Sequence, residues 1–145
     1  MENEWRFDHL VMIVKDVDKT FEAYKSEGLD VFLEPVTGSM KDCTVHGKRP
    51  AESLKFKIAY LKKGPFLLKL VQPLEGNSTY QEHLDNHGEG IGHIHFCVRD
   101  LEQAKAEMAK NKIPMIFEAL HATHKEAHFD TRNFINMVTE LRQGF

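Results

Sequence analysis

The chain repeats itself. Laid over one another without a gap, Phe7 to Pro35 (FDHLVMIVKDVDKTFEAYKSEGLDVFLEP) and Ile91 to Ala119 (IGHIHFCVRDLEQAKAEMAKNKIPMIFEA) agree at a separation of 84, the distance from His9 to His93 and from Asp16 to Asp100. Leu10 falls on Ile94, Val14 on Val98, Lys15 on Arg99, Val17 on Leu101, Leu29 on Ile113 and Glu34 on Glu118. Apolar, charged and capping positions are kept together, so one fold must accommodate two copies of a single supersecondary unit. The tails repeat as well: Lys57 to Gln72 (KIAYLKKGPFLLKLVQ) lies on His128 to Gln143 (HFDTRNFINMVTELRQ) at a separation of 71, which sets Lys69 on Glu140.

Local signals divide each copy into elements. Strand-like runs end at Asp16 and Asp100, each placed as a helix N-cap, the second with Gln103 as a capping box. Val17, Phe21 and Tyr24, and then Leu101, Ala104 and Met108, recur at the spacing of one buried helix face. Gly28 stops the first helix and Pro114 follows the second. Each unit reads as strand, helix, strand and a two-strand hairpin, a βαβββ arrangement. Ser78 and Gln81 open a connecting helix that Gly88 closes, while Val36 to Glu52 reads as a variable loop. At 145 residues the copies must share one interior, so 1–145 is a single domain: unit 1 about 5–74, linker helix about 77–88, unit 2 about 90–143.

Composition excludes several classes. A net charge of −3 is far from the basic balance that a nucleic acid backbone selects. The apolar runs are strand-sized and the N-terminus is polar, so neither a membrane span nor a signal peptide is expected and a cytoplasmic location follows. Cys43 and Cys97 lie outside any CxxC spacing and read as free thiols of a reducing compartment. Exposed sheet edges in a fold this small leave a homodimer open.

Strand alternation locates the chemistry. His9, Val11 and Ile13 share one face of the first strand, and His93, His95 and Cys97 share the equivalent face. The opposite faces, Leu10, Met12, Val14 and Ile94, Phe96, Val98, suit a covering helix. About an approximate twofold axis, His9, His93, Lys69 and Glu140 would face one cleft. Two imidazoles and a carboxylate suit a divalent zinc, nickel, cobalt or iron ion, whereas the Lys69 ammonium has no lone pair to give. The plainer account is hydrogen-bonded histidines and a Lys69–Glu140 ion pair; the shared register of the two histidines favours ligation. His95 reads as a partner of a ligand or as a general acid/base. His121, His124 and His128, in the polar stretch ALHATHKEAH, read as solvated loop residues. The basic run Lys41 to Arg49, with Lys62 and Lys63, suits a solvated face or a rim attracting a carboxylate, phosphate or coenzyme A.

These residues resemble the vicinal oxygen chelate superfamily of glyoxalase I, methylmalonyl-CoA epimerase, extradiol dioxygenases and bleomycin-resistance proteins. The likeness is carried by DHLVMIVKDVDKTFEAY (Asp8 to Tyr24), HLDNHGEGIGHIHFCVRDLEQAKAEM (His83 to Met108) and TELRQ (Thr139 to Gln143), and GEGIGHI is similar to the epimerases' GEG-x-HHI run. The resemblance implies an α+β fold in which two tandem βαβββ units form a curved, partly closed mixed sheet around a central cleft, with helices outside. It implies metal ligands at His9, His93 and Glu140, with lysine at the fourth position, Lys69. The proton-transfer base of some epimerases falls at Lys57. The activity implied is a metal-assisted lyase or isomerase acting on a small oxygen-chelating carbonyl or thioester. Lys69 and Lys57 would then bind substrate, and either Glu140 or His95 would carry the proton. Two alternatives stand beside it: a metal-free small-molecule binding module of the bleomycin-resistance type, in which Lys69 neutralises Glu140, and an iron(II)-dependent extradiol-type dioxygenase.

Overall fold

The computed structural model describes residues 2–145. Strand β1 (Trp5–Ile13) leads to helix α1 (Val17–Ser26), whose N-cap Asp16 accepts a hydrogen bond from the Lys19 backbone N–H at 3.1 Å. The helix buries Val17 and Phe21 and ends before Gly28, which turns the chain at φ 105°. The second copy repeats this: β6 (Gly90–Val98) precedes α3 (Leu101–Lys110), Asp100 accepts from the Gln103 N–H at 3.0 Å, and Leu101 and Ala104 are buried. The reciprocal half of the capping box is supplied by another residue. Asn3 Oδ1 accepts from the Asp100 N–H at 2.9 Å, while the Gln103 side chain turns to Glu107. Between the copies, Ser78 caps α2 (Thr79–His87) and Gly88 ends it.

The remaining elements are β2 (Asp30–Met40), β3 (Cys43–Val45), β4 (Leu54–Lys63), β5 (Phe66–Glu75), β7 (Met115–Leu120), β8 (Lys125–Phe129), α4 (Arg132–Ile135) and β9 (Val138–Gln143). Among the described residues one mixed sheet runs β2-β4-β5-β1-β6-β9-β8-β7-β3. At its centre β1 and β6 pair antiparallel with Leu10 opposite Ile94, so the axis relating the copies passes between two equivalent residues. His9 therefore stands opposite His95, and Val11 opposite His93. The next strands reproduce both separations, since Val11 pairs with Lys69 and His95 with Glu140.

The tail alignment fails one strand further out. Lys69 pairs with Tyr60 and Glu140 with His128, so Tyr60 is the counterpart of His128, and Lys57 instead pairs with Gln72. Gly64 and Pro65 alone separate β4 from β5, whereas the β8–β9 connection contains the extra turn α4. The helix-facing cores confirm the corrected register. Beneath α1 lie Val14, Ala59, Leu61 and Leu70; beneath α3 lie their counterparts Val98, Ala127, Phe129 and Leu141. Burying a side chain such as Phe21 or Leu101 contributes roughly 1.5–3 kcal/mol.

The segment expected to be a loop is partly strand. Val36 to Met40 extends β2, and β3 pairs with β7, Cys43 opposite Ala119 and Val45 opposite Phe117. Strands β2 and β3 occupy opposite ends of the sheet, yet only Lys41 and Asp42 separate them. Three peptide units span at most about 11 Å. The sheet must therefore curl until its ends nearly meet, which makes a cleft of its inner face. Cys43 and Cys97 are buried free thiols. Among the described residues no helix is long and apolar enough to cross a membrane.

Candidate functional site

Inward-facing residues of both copies line a cavity of about 580 Å³. Strand β1 supplies Asp8 and His9, β6 His95, β9 Glu140 and Arg142, and β5 Lys69, while α2 lays Tyr80 across one side. The β7–β8 turn and β8 add His121, His124 and Glu126. Alternation on β4 sends Phe56, Ile58 and Tyr60 into this space.

The deepest charge is Glu140, 2% exposed. A buried carboxylate is costly unless its oxygens are satisfied. Here Tyr80 Oη donates to Glu140 Oε1 at 2.9 Å and His93 Nδ1 lies 2.7 Å from the same oxygen. His128 Nε2 lies 3.7 Å from it and 3.0 Å from Glu126 Oε1. Burial acts to raise the Glu140 pKa, but His128 and His93 overcome it and hold the carboxyl well below its usual range. Burial acts to lower His128, yet Glu140 and Glu126 hold it up. At His93 burial prevails over the carboxylate, and the imidazole is pushed down. The ligand atoms of His93, His128 and Glu140 all lie within 4.8 Å of one another.

A second group faces the cavity beside it. His9 Nδ1 lies 2.6 Å from Asp8 Oδ2, and its Nε2 is buried with no hydrogen-bond partner. The His9 ring stacks on His95, centroids 4.3 Å apart and planes at 21°. Burial lowers the His9 pKa despite the Asp8 bond, and pushes His95 down to about 4, so His95 is neutral at pH 7. His95 Nδ1 also lacks a partner. Lys69 places its ammonium 5.8 Å from the centre of the Tyr60 ring. Burial acts against its charge, but Tyr60 and Glu140 outweigh burial and raise its pKa.

His93 and Glu140, expected on one ion, are in contact. His9, expected with them, is grouped with Asp8 and His95, and His128 takes the third place beside Glu140. His95 lines the cavity. The expected Lys69–Glu140 pair does not form among the described residues, because imidazoles and Tyr80 compensate the carboxylate instead. Lys57 is not brought to the cavity; its ammonium pairs with Asp18 on α1, on the helix-covered side of the sheet. His128, read as solvated, is 1% exposed, and His121 and His124 are half-buried with stacked rings. Tyr80, Asp8 and Glu126 carried no sequence signal of a role, although Asp8 adjoins His9 and Glu126 lies two positions before His128 on one strand face.

Sequence comparison with curated proteins finds no match. Residues 8–130 match the sequence model of the Glyoxalase/Bleomycin resistance protein/Dioxygenase superfamily. Among solved structures, a hypothetical protein from Bacillus halodurans C-125 superimposes with TM-score 0.68 at 22% identity, covering 100% of this chain and 96% of that one. Streptomyces coelicolor methylmalonyl-CoA epimerase, a variant in complex with 2-nitronate-propionyl-CoA, gives TM-score 0.67 at 20% identity over 96% of each chain. The Mycobacterium tuberculosis methylmalonyl-CoA epimerase gives 0.66 at 17% identity, over 97% of this chain and 88% of that one. At these identities the likeness is one of fold.

Proposed function

This chain belongs to the glyoxalase/bleomycin resistance protein/dioxygenase superfamily, and on that premise we propose that it is a glyoxalase- or epimerase-like isomerase or lyase, moving a proton next to the carbonyl of a small acid or thioester. The observation that carries this reading is the Asp8–His9 pair. A carboxylate accepting from His9 Nδ1 leaves Nε2 with a desolvated lone pair, unpartnered, on a residue that lines the cavity. An imidazole so held is a proton acceptor, and Asp8 stabilises the imidazolium formed on transfer. The proton returns to the substrate from His9 or from neighbouring His95. Lys69 and Arg142 orient an anionic group of the substrate. The cavity suits an acyl group of the kind carried by the CoA ligands of the epimerase neighbours, with the remainder of a larger substrate outside.

His93, His128 and Glu140 fit a divalent transition ion. Their donor atoms lie within 4.8 Å of one another, and the set is two nitrogens and an oxygen. Bound there, zinc, nickel, cobalt or iron would supply Lewis-acid polarisation of a substrate carbonyl. His9, expected from sequence as a ligand, serves in this reading as the base. Hydrogen exchange into acyl thioesters and 2-oxo acids in D2O, followed by NMR, tests the proposal. The expected result is α-carbon exchange that falls roughly 10²–10⁴-fold in His9→Gln with ion content unchanged. Absence of exchange across the panel with ion-loaded protein overturns it. The same donor set also favours a second reading, iron(II)-dependent extradiol-type dioxygenation; oxygen uptake with catechols after anaerobic iron(II) loading would select it.

A further inference from the structure

The four-residue connection between β7 and β8 is built as a turn: the His121 N–H donates to the His124 carbonyl at 2.8 Å, bringing the two imidazoles to one side with centroids 4.2 Å apart. Glu126 follows two positions later on the same strand face. Both imidazoles bring Nε2 close to one carboxylate oxygen, His121 at 3.4 Å and His124 at 3.6 Å from Glu126 Oε2. An imidazolium paired with a carboxylate would close to about 2.7–2.9 Å. Donors each about 2.0–2.1 Å from one tetrahedral ion instead stand about 3.3–3.4 Å apart. The His121 separation of 3.4 Å matches the second geometry, and the His124 separation of 3.6 Å is nearer to it than to the first. His121 Nε2 is moreover buried with no hydrogen-bond partner, although the residue as a whole is half-buried.

The surroundings hold the donors in place. Thr123 Oγ1 lies 3.1 Å from His124 Nδ1, so Nε2 is the nitrogen turned to Glu126. His128 Nε2 engages Glu126 Oε1 at 3.0 Å, leaving Oε2 to the turn. We propose that His121, His124 and Glu126 form a second binding site for a divalent transition ion of the zinc type, on the solvent side of the cavity, with its remaining coordination positions open to the space that the substrate enters. The site shares no ligand with the His93, His128 and Glu140 set and does not depend on the reaction assigned there.

Calorimetric titration of the chelator-stripped full chain with zinc chloride tests it. The wild type is expected to bind two equivalents and the His121→Asn, His124→Asn double variant one, with affinity at the lost site down by more than roughly 100-fold, beyond the loss expected from an outer partner. His93→Asn should keep the turn site and lose the other, so failure of one is distinguishable from failure of the other. If the wild type binds a single equivalent, its loss in the double variant supports the turn site and its persistence overturns it. Zinc anomalous scattering from soaked crystals gives a reading that does not depend on the variants folding: a peak between His121, His124 and Glu126 is expected. Unchanged stoichiometry and affinity in the folded double variant, or no peak at the turn, refutes the site.

Discussion

Replacing Tyr80 with phenylalanine removes one oxygen from the wall of the cavity and keeps the ring. The residue is 8% exposed, its ring stacks on His93 at 5.0 Å, and its hydroxyl donates to Glu140 Oε1 at 2.9 Å. A hydrogen bond to an ionised acceptor is worth about 1.5–3 kcal/mol, so Tyr80→Phe should cost about 2 kcal/mol at pH 7. In a domain of this size that lowers Tm by roughly 4–8 °C, and with a urea m value of about 2 kcal/mol/M it lowers the midpoint by about 1 M at unchanged slope. Burial, and then Glu140, push the Tyr80 hydroxyl well above its ordinary pKa of 10. On raising the pH, the unfolded chain therefore releases this proton first. The stability tied to it is complete below pH 10 and is lost at about 1.4 kcal/mol per pH unit above that. Phenylalanine has no such loss, so the gap between wild type and variant should close to well under 1 kcal/mol near pH 11. In the Glu140→Gln background the acceptor is neutral and Tyr80→Phe should cost only about 0.5–1.5 kcal/mol. The reasoning is refuted by a pH 7 gap below about 0.5 kcal/mol, by a gap that persists to pH 11, or by equal costs in both backgrounds.

Other perturbations follow from the same geometry. His95 has a folded pKa of about 4 against 6.5 unfolded, so protons bind the unfolded chain preferentially as the pH falls between those values and stability drops by about 3 kcal/mol; His95→Phe should flatten that part of the urea-stability profile. In Gly92→Ala the added Cβ would sit 2.5 Å from His83 Cε1 and 2.7 Å from Ile13 Cδ1, so crowding should cost about 1–3 kcal/mol in urea unfolding. Lys57→Met should leave proton exchange and ion stoichiometry unchanged and cost at most about 1 kcal/mol, because among the described residues its ammonium serves the half-exposed pair with Asp18.

The separation of 84 was readable because β1 and α1 match β6 and α3 without a gap, and the three caps at Asp16, Ser78 and Asp100 are local signals that the structure repeats. The tails deceived because apolar alternation looks alike after a shift, which hid the α4 turn, set Lys57 opposite His128 and left His128 among the solvated residues. Strand β3 owes its existence to pairing with β7, more than seventy positions away, and nothing local announces it. The grouping of His93 with His128 and Glu140 was out of reach for a geometric reason. An antiparallel pair centred on Leu10 and Ile94 puts His9 and His93 on opposite sides of the axis, so the symmetry that makes them equivalent also sets them diagonally apart, about 7–8 Å for a two-position step. Sequence located the inward faces, and side-chain packing decided which inward residue met which.

The two-residue link Lys41–Asp42 governs more than topology. Lys41 is exposed, so a protease cutting after basic residues can reach the bond that follows it. One such nick would break no ladder, and the apolar cluster of Cys43, Leu54, Phe117 and Ala119, drawn from both rims, would still clasp them. The link therefore sets how close the rims come, and the cluster keeps them there.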